Sequence, residues 1–487
     1  MKLLNNSKNY NLYILIFLIA FISYLPAIIF FNVPLDGEGS LHYGFLSKHG
    51  RWFLDFIKFG LNKDSIYTYN PFFTILISNI FLSFSAIINS KIFNFNNFNT
   101  ILFSALYITF PQYAYQYYFI TQADVISFGL FLCSLSIYIL YLNNISNLLK
   151  YFICFICSYL ILGIYQTLLL LPFTLLFIRF FLDYKKNENK VKVIFNKVFY
   201  YIIIITVSVF IYYCTIKTLN IKMENNEYAK SFFSLQNLSL NFKYIIRNLL
   251  GRFYYGQQPY LLATLIVISF ILYSIIKNKE KIWTYLFLII LVISPFIIIL
   301  VMDSYPPRIF LSTNICFSFS IIYCLTHLKN KYLKTIIIST ISLTSIFYIS
   351  KLYYSQYKVG EQDKTTARDV KTQLMINIPD YNDPNYSFYF YGRLKNSEFR
   401  IKKSEVFGAS FFEWCGGDTN RISAFLKYQN IMNIKPSSLK DINKIDTKLI
   451  HEMPTWPNPK SVQKFNNTII IKLGNENNEN CLFSLDE

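Results

Sequence analysis

Residues 12–31 read LYILIFLIAFISYLPAIIFF, and residues 32–39 that follow read NVPLDGEG. An uncharged apolar stretch of this length matches the roughly 20 residues a helix needs to cross ~30 Å of hydrocarbon. It is too long for the apolar core of a cleavable leader, and no small-residue cleavage site follows, so it reads as a signal anchor that stays. It ends against two carboxylates, Asp36 and Glu38, shortly before His49-Gly-Arg-Trp52. Acid is scarce in this part of the chain: residues 1–350 hold 11 Asp or Glu against 27 Lys or Arg. A carboxylate pair at the lip of a membrane helix is therefore the first candidate for chemistry, because desolvating such a group is costly.

The same apolar pattern recurs along the chain, which is 54% hydrophobic and only 15% charged. Eleven runs are long enough to span: 12–31, 71–90, 98–116, 124–142, 150–165, 166–183, 198–217, 259–276, 282–302, 309–327 and 335–351. Block 150–184 reads in two ways, as two short helices with a turn near Gly163–Gln166 or as one long tilted helix. The expected architecture is an all-α polytopic membrane protein of about eleven crossings with a small mixed α/β domain at its C-terminus. The domains divide at 1–350, with a catalytic first outer loop at 32–70, and 351–487.

The net charge of +19 does not point to nucleic acid, because the basic residues sit in short connections. Lys185, Lys186, Lys190, Lys192 and Lys197 form one group, Lys277, Lys279 and Lys281 a second, and Lys329, Lys331 and Lys334 a third; Lys2, Lys8, Lys91 and Lys150 mark further connections on the same side. Short loops rich in Lys and Arg stay cytoplasmic. The alternate short connections contain one basic residue, Arg308. The N-terminus is thus expected inside and the C-terminal domain outside. Loops 32–70 and 218–258 depart from the rule, since both carry several basic residues on the expected outer side. Cys133, Cys154, Cys157, Cys214, Cys316 and Cys324 fall in apolar runs and read as packing residues. Cys415 and Cys481 lie in the outer tail, where an oxidising compartment would let them pair.

Beyond residue 351 the chain turns polar, with 19 basic and 16 acidic residues. Tyr386–Leu394 reads as an aromatic strand, and Val462–Leu473 as a hairpin turning at Asn466-Asn467. Asp418 is placed to cap a helix with Ile422, Phe425 and Leu426 on one face.

The polar residues of the outer side are few. The first loop offers Asp36, Glu38, His42, Arg51, Trp52, Asp55 and Asp64. Gln122 and Asp124 begin the fourth run, after the aromatic stretch Tyr113–Phe119. Gln166 interrupts an apolar block, and Met302–Arg308 (MDSYPPR) brings Asp303 and Arg308 to a short turn. Each has a plainer alternative: a solvated loop for Asp36 and Glu38, an N-cap for Asp124, lipid snorkelling for Arg308, helix packing for Gln166, and an interfacial belt for the aromatics. Together they suit a reaction between a lipid-phosphate sugar and a glycan. A carboxylate takes the proton of an attacking sugar hydroxyl, and Arg51, Arg308 or a tail Lys holds the charge developing on a phosphate leaving group. No zinc set surrounds His42, and the expected chemistry is metal-independent, with no cofactor beyond the lipid-linked donor.

These segments resemble the bacterial O-antigen glucosyltransferase (Gtr) family associated with serotype conversion. The resemblance runs from the first helix to near residue 474. It rests on Asp36-Gly-Glu38 with Gly50-Arg-Trp52, the Gln122–Asp124 helix start, Gly163-Ile-Tyr-Gln166 and Pro306-Pro-Arg308. The tail adds GASFFEWCGGDTNR at 408–421, Ala424-Phe-Leu426, Met453-Pro-Thr-Trp-Pro457, Ser461-Val462 and IIIKLG at 469–474. The resemblance implies transfer of glucose from undecaprenyl phosphate to lipopolysaccharide O-antigen outside the inner membrane, on a C-type glycosyltransferase-like helical fold. Separate proteins would make and flip the donor. Carried over by residue, Glu38 and Asp36 take the acid/base positions. Phe411, Phe412, Glu413, Trp414, Cys415, Asp418, Arg421 and Lys472 fall in the tail signature, where Trp414 and the phenylalanines either stack acceptor sugar or form a packed core. The first loop lacks the second adjacent Asp and nearby Arg of many relatives, so either acid can be the base. A polysaccharide polymerase or ligase would use similar lipid-linked substrates but fits the tail less well. A flippase or other transporter would show paired halves and midplane polar sites, neither of which is evident.

Overall fold

The structure, a computed structural model, describes residues 7–35, 37, 47–60, 70–186, 191–221, 238–277, 280–300, 305–395, 397–442, 445 and 447–475. It is mostly helical and divides into two units: Met1–Ile29 with His42–Ser350, and Phe30–Leu41 with Lys351–Glu487.

The first unit is a helical bundle. Among the described residues, nine helices of the chain are long and apolar enough to cross a membrane. Two of the apolar runs form shorter helices, Asn97–Thr109 of 13 residues and Ser312–Thr326 of 15. Proline explains both. Pro111 keeps the residue before it out of helical conformation, and Phe110 is indeed extended at φ −57°, ψ 132°. Pro306 and Pro307 lie in a turn before the second short helix and delay its start. Block 150–184 is two helices, Asn147–Ile164 and Leu170–Lys186, joined through Tyr165 at φ −163°, ψ 114° and a tight turn Gln166–Leu169. Asn70 caps Pro71–Ile92 by accepting from Phe73 N, and Asn96 caps Asn97–Thr109 by accepting from Asn99 N.

Polar side chains and aromatic rings fill the bundle interior. Ser85 Oγ lies 2.9 Å from Tyr107 Oη and 2.7 Å from Ser134 Oγ. Such bonds hold helices together where no water competes. The stretch Tyr113–Phe119 is interior too and does not form an interfacial belt: Tyr113, Tyr115 and Tyr117 are buried. The Tyr117 ring is 4.7 Å from that of Tyr24, and Tyr115 Oη donates to Tyr255 O at 2.7 Å.

The last helix of the bundle, Lys331–Asn377, runs on well past the apolar limit at 351. At 1.5 Å per residue its 47 residues extend about 70 Å, more than twice a hydrocarbon core. The polar half stays helical because it is amphipathic: Leu352, Tyr353, Val359, Ala367, Val370 and Leu374 are all buried. They face the small domain of the second unit. There β1 (Ser387–Tyr391), β2 (Val462–Phe465) and β3 (Thr468–Lys472) form a sheet in the order β1-β3-β2. β1 runs parallel to β3 with Ser387 opposite Thr468, and β2 runs antiparallel with Val462 opposite Ile471. β2 and β3 turn at Asn466, whose φ of 51° Asn tolerates better than most residues. Central β3 is buried on both faces. Ile469 and Ile471 join Phe388, Phe390, Ile422, Phe425 and Leu426 in the main core, while Ile470 packs with Tyr391, Ile450 and Met453 on the other side.

Candidate active site

In the bundle, the segment Ser47–Gly60 lies against the start of Ile120–Leu140 and the break at Tyr165. Trp52 packs beside this break. A Cβ on Gly163 would sit 2.7 Å from the Trp52 ring, so glycine leaves the space the indole fills, and Trp52 also meets Tyr159 at 5.2 Å. The extended backbone at Tyr165 then turns two side chains toward Ser47–Gly60. The Tyr165 ring lies 4.6 Å beneath the Arg51 guanidinium. Gln166 Nε2 donates to His49 O at 3.1 Å and to Tyr212 Oη at 2.8 Å, and Tyr212 Oη donates to Gly50 O at 3.0 Å.

Arg51 Nη1 also donates to Gln122 Oε1 at 3.0 Å. Two residues beyond Gln122, Asp124 has each carboxylate oxygen 2.7 Å from Lys58 Nζ, with only 8% of the lysine and 16% of the aspartate side chain exposed. Val125 N donates to Asp124 Oδ1 at 2.9 Å. Asp124 therefore neutralises a buried cation, which suits it to positioning rather than to proton abstraction. Ser47 Oγ donates to Asp55 Oδ2 at 2.5 Å. Arg308 stacks its guanidinium 4.7 Å over Phe119, next to the same helix start. Its turn is held by Gln112, which donates to Pro307 O and accepts from Tyr260 Oη at 3.0 Å.

Arg51, Trp52, Gln122, Asp124, Gln166 and Arg308 thus gather at one end of the bundle. Arg51 contacts a neutral amide and a ring in this cluster, and Arg308 a ring. A guanidinium is the kind of group that forms charge-assisted bonds with phosphate oxygens. Asp36, Glu38, His42, Asp64, Asp303 and Cys481 lie outside the described residues. Among the described residues no three His, Cys, Asp or Glu side chains gather as a metal site would need. The sequence reading did not single out Lys58 or Tyr212. For Lys58 a signal was present, since it is one of the basic residues that departed from the charge rule in loop 32–70.

The tail signature has a different character. Phe411 is 3% exposed and stacks on Phe425 at 4.4 Å, and Phe412 is fully buried. Trp414 is partly buried against the same core. Glu413, also buried, is ion-paired with Arg400. Cys415 is disulfide-bonded. Asp418 caps Thr419–Tyr428, its Oδ1 accepting from Asn420 N at 2.7 Å and from Arg421 N at 3.4 Å. Lys472 is buried and donates to His451 O at 2.9 Å and Met453 O at 2.7 Å, and desolvation lowers its pKa.

Compared with known proteins, residues 25–325, more than half of the chain, match the family described as Glucosyl transferase GtrII. No curated protein and no solved structure matches the chain.

Proposed function

Because the chain belongs to the glucosyl transferase GtrII family, we propose that it moves glucose, or a related hexose, from undecaprenyl phosphate to an O-antigen or other surface polysaccharide on the outer face of the cytoplasmic membrane. The family match carries this reading. The polar cluster at one end of the bundle supports it, because a lipid-phosphate donor presents its sugar at the membrane boundary. In this reading the chain crosses eleven times on a C-type glycosyltransferase-like frame, counting the two shorter helices, with its N-terminus in the cytoplasm and its C-terminal domain outside. The disulfide at Cys415 fits an oxidising compartment.

Glu38 or Asp36 takes the proton of the acceptor hydroxyl as its oxygen bonds to the anomeric carbon. The bond from that carbon to the phosphate oxygen breaks, and the polyprenyl phosphate leaves with the electron pair. Arg51 and Arg308 stabilise its charge. Gln122 and Tyr165 orient Arg51, and the Lys58–Asp124 pair fixes the helix start beside it. The reaction as written needs no metal, and separate proteins supply and flip the donor.

The test is transfer in vitro from polyprenyl-phosphate glucose to a polysaccharide acceptor by wild type, Glu38→Gln and Asp36→Asn. We expect wild type to transfer and one variant to lose activity by about 100-fold or more. No transfer by folded wild type from any lipid-linked hexose sinks the proposal.

A further inference from the structure

The end of the bundle remote from Arg51 holds a second group of charges. Helix Ile120–Leu140 begins beside Asp124 and reaches Tyr141 about 25 Å further on, at the helical rise of about 1.5 Å per residue. There the Arg179 guanidinium lies 4.9 Å, and Lys197 Nζ 4.3 Å, from the centre of the Tyr141 ring. Arg179 comes from Leu170–Lys186 and Lys197 from Val191–Thr218. Lys150, near the start of Asn147–Ile164, stands close enough for its charge to act on Lys197. The helices bearing the two lysines pack side by side, with the Tyr151 and Tyr200 rings 5.4 Å apart.

The positive charge of this group is only partly answered. Asp183 engages Arg179 Nε at 3.2 Å and Nη2 at 2.8 Å, and Arg179 Nη1 donates to Ile92 O at 2.6 Å. Arg179 is thus held by the protein itself. Lys150 is only 8% exposed, yet no carboxylate among the described residues lies within ion-pair distance of it or of half-buried Lys197. Lys150 also stands at the positive end of its own helix dipole, which disfavours a cation. Tyr141 Oη is buried and has no hydrogen-bond partner among the described residues. Taking an ammonium out of water is costly unless an anion answers it. Leu148, Phe152, Phe195 and Phe199 are exposed on the two lysine-bearing helices, both of which are long and apolar enough to cross a membrane.

We propose that Lys150, Lys197 and Tyr141 form a binding site for the phosphate of an anionic phospholipid headgroup. The two ammonium groups hold the phosphate oxygens, and the Tyr141 hydroxyl donates to one of them. Arg179, fixed by Asp183, steadies the Tyr141 ring from its face. The exposed apolar side chains beside the lysines favour a lipid over a free anion, because acyl chains pack where the headgroup is held. Both lysines belong to the basic connections whose charge suits the acidic inner leaflet of a membrane. The site stands apart from the Arg51 cluster and does not depend on the transfer reaction.

The experiment titrates the full-length protein, in a neutral detergent, with dioctanoyl phosphatidylglycerol and follows its melting temperature. Dioctanoyl phosphatidylcholine and inorganic phosphate are titrated in parallel. Phosphatidylglycerol should stabilise wild type at concentrations where the other two have no effect. Each of Lys150→Met, Lys197→Met and Tyr141→Phe should weaken the apparent affinity by roughly fivefold, and the two lysine changes together by about 25-fold. Without lipid, Lys150→Met should melt at or above the wild-type temperature, since methionine keeps the apolar stem and removes the unanswered charge. A lower temperature shows the ammonium already satisfied within the chain and overturns the site. So does a wild type that phosphatidylglycerol leaves unchanged, or a double lysine variant that binds it as tightly as wild type. Equal stabilisation by phosphatidylcholine overturns the recognition of charge, and equal stabilisation by inorganic phosphate overturns the assignment to lipid.

Discussion

The polar cluster of the bundle and the signature of the tail are both rich in charged and aromatic residues, yet they satisfy those residues in opposite ways. In the bundle, Arg51 reaches across dozens of residues of sequence to Gln122, Lys58 to Asp124, and Gln166 to the backbone carbonyl of His49. In the tail, Phe411, Phe412 and Lys472 turn inward and complete the core. A row of aromatic and charged letters is therefore no guide to a binding face until the direction of each side chain is known. The bundle cluster should fail by losing activity, and the tail by losing its fold.

The largest effect that separates the two is expected at Phe412. Phe412→Ala empties a fully buried site in the main core, and such truncations cost about 3–5 kcal/mol. Calorimetry of the full-length protein should show the loss. A variant that melts like wild type but binds acceptor poorly would move Phe412 from core to binding face and erase the contrast.

Next in size is the ion pair. Asp124→Asn leaves the Lys58 ammonium buried beside a neutral amide, at a cost near the lower end of about 3–5 kcal/mol because neither group is fully enclosed. Lys58→Met combined with Asp124→Asn removes the stranded charge and should return most of the melting temperature. Transfer by that double variant should nonetheless stay about 100-fold down, since the pair fixes the helix start beside Arg51. Recovery of both stability and transfer would make the pair structural, like the tail.

Much of this contrast was hidden in the sequence for identifiable reasons. Apolar run length revealed the bundle, but it left block 150–184 open between two short helices and one long one, and the structure decides for the break near Gly163–Gln166. The Asn466 turn and the Asp418 cap were legible because both follow local chemistry. Run length alone overestimated the helices at 98–116 and 309–327, where Pro111 and Pro306-Pro307 carried the missing information. The long helix was obscured past 351 because its buried residues there are spaced by helical turns among lysines and glutamines. Loop 32–70 was read as one outer loop, but Val33 and Leu35 pack in the tail's core. That packing depends on residues more than 300 positions away, which no local pattern contains.

Asp418 gives the smallest and most discriminating test of the tail. Its carboxylate accepts from the first amides of Thr419–Tyr428, so Asp418→Ala should cost about 1 kcal/mol. Asp418→Asn keeps an oxygen in the capping position and should restore nearly all of that stability. If the side chain acts only as a cap, transfer follows the same order, with Asn near wild type and Ala reduced only as far as the unit loosens. If the carboxylate instead grips the acceptor, Asp418→Asn melts normally yet transfers poorly, because the amide keeps the cap but not the charge. The ratio of transfer to stability in the asparagine variant therefore decides whether the signature touches substrate at this position or only holds the sheet and helix together.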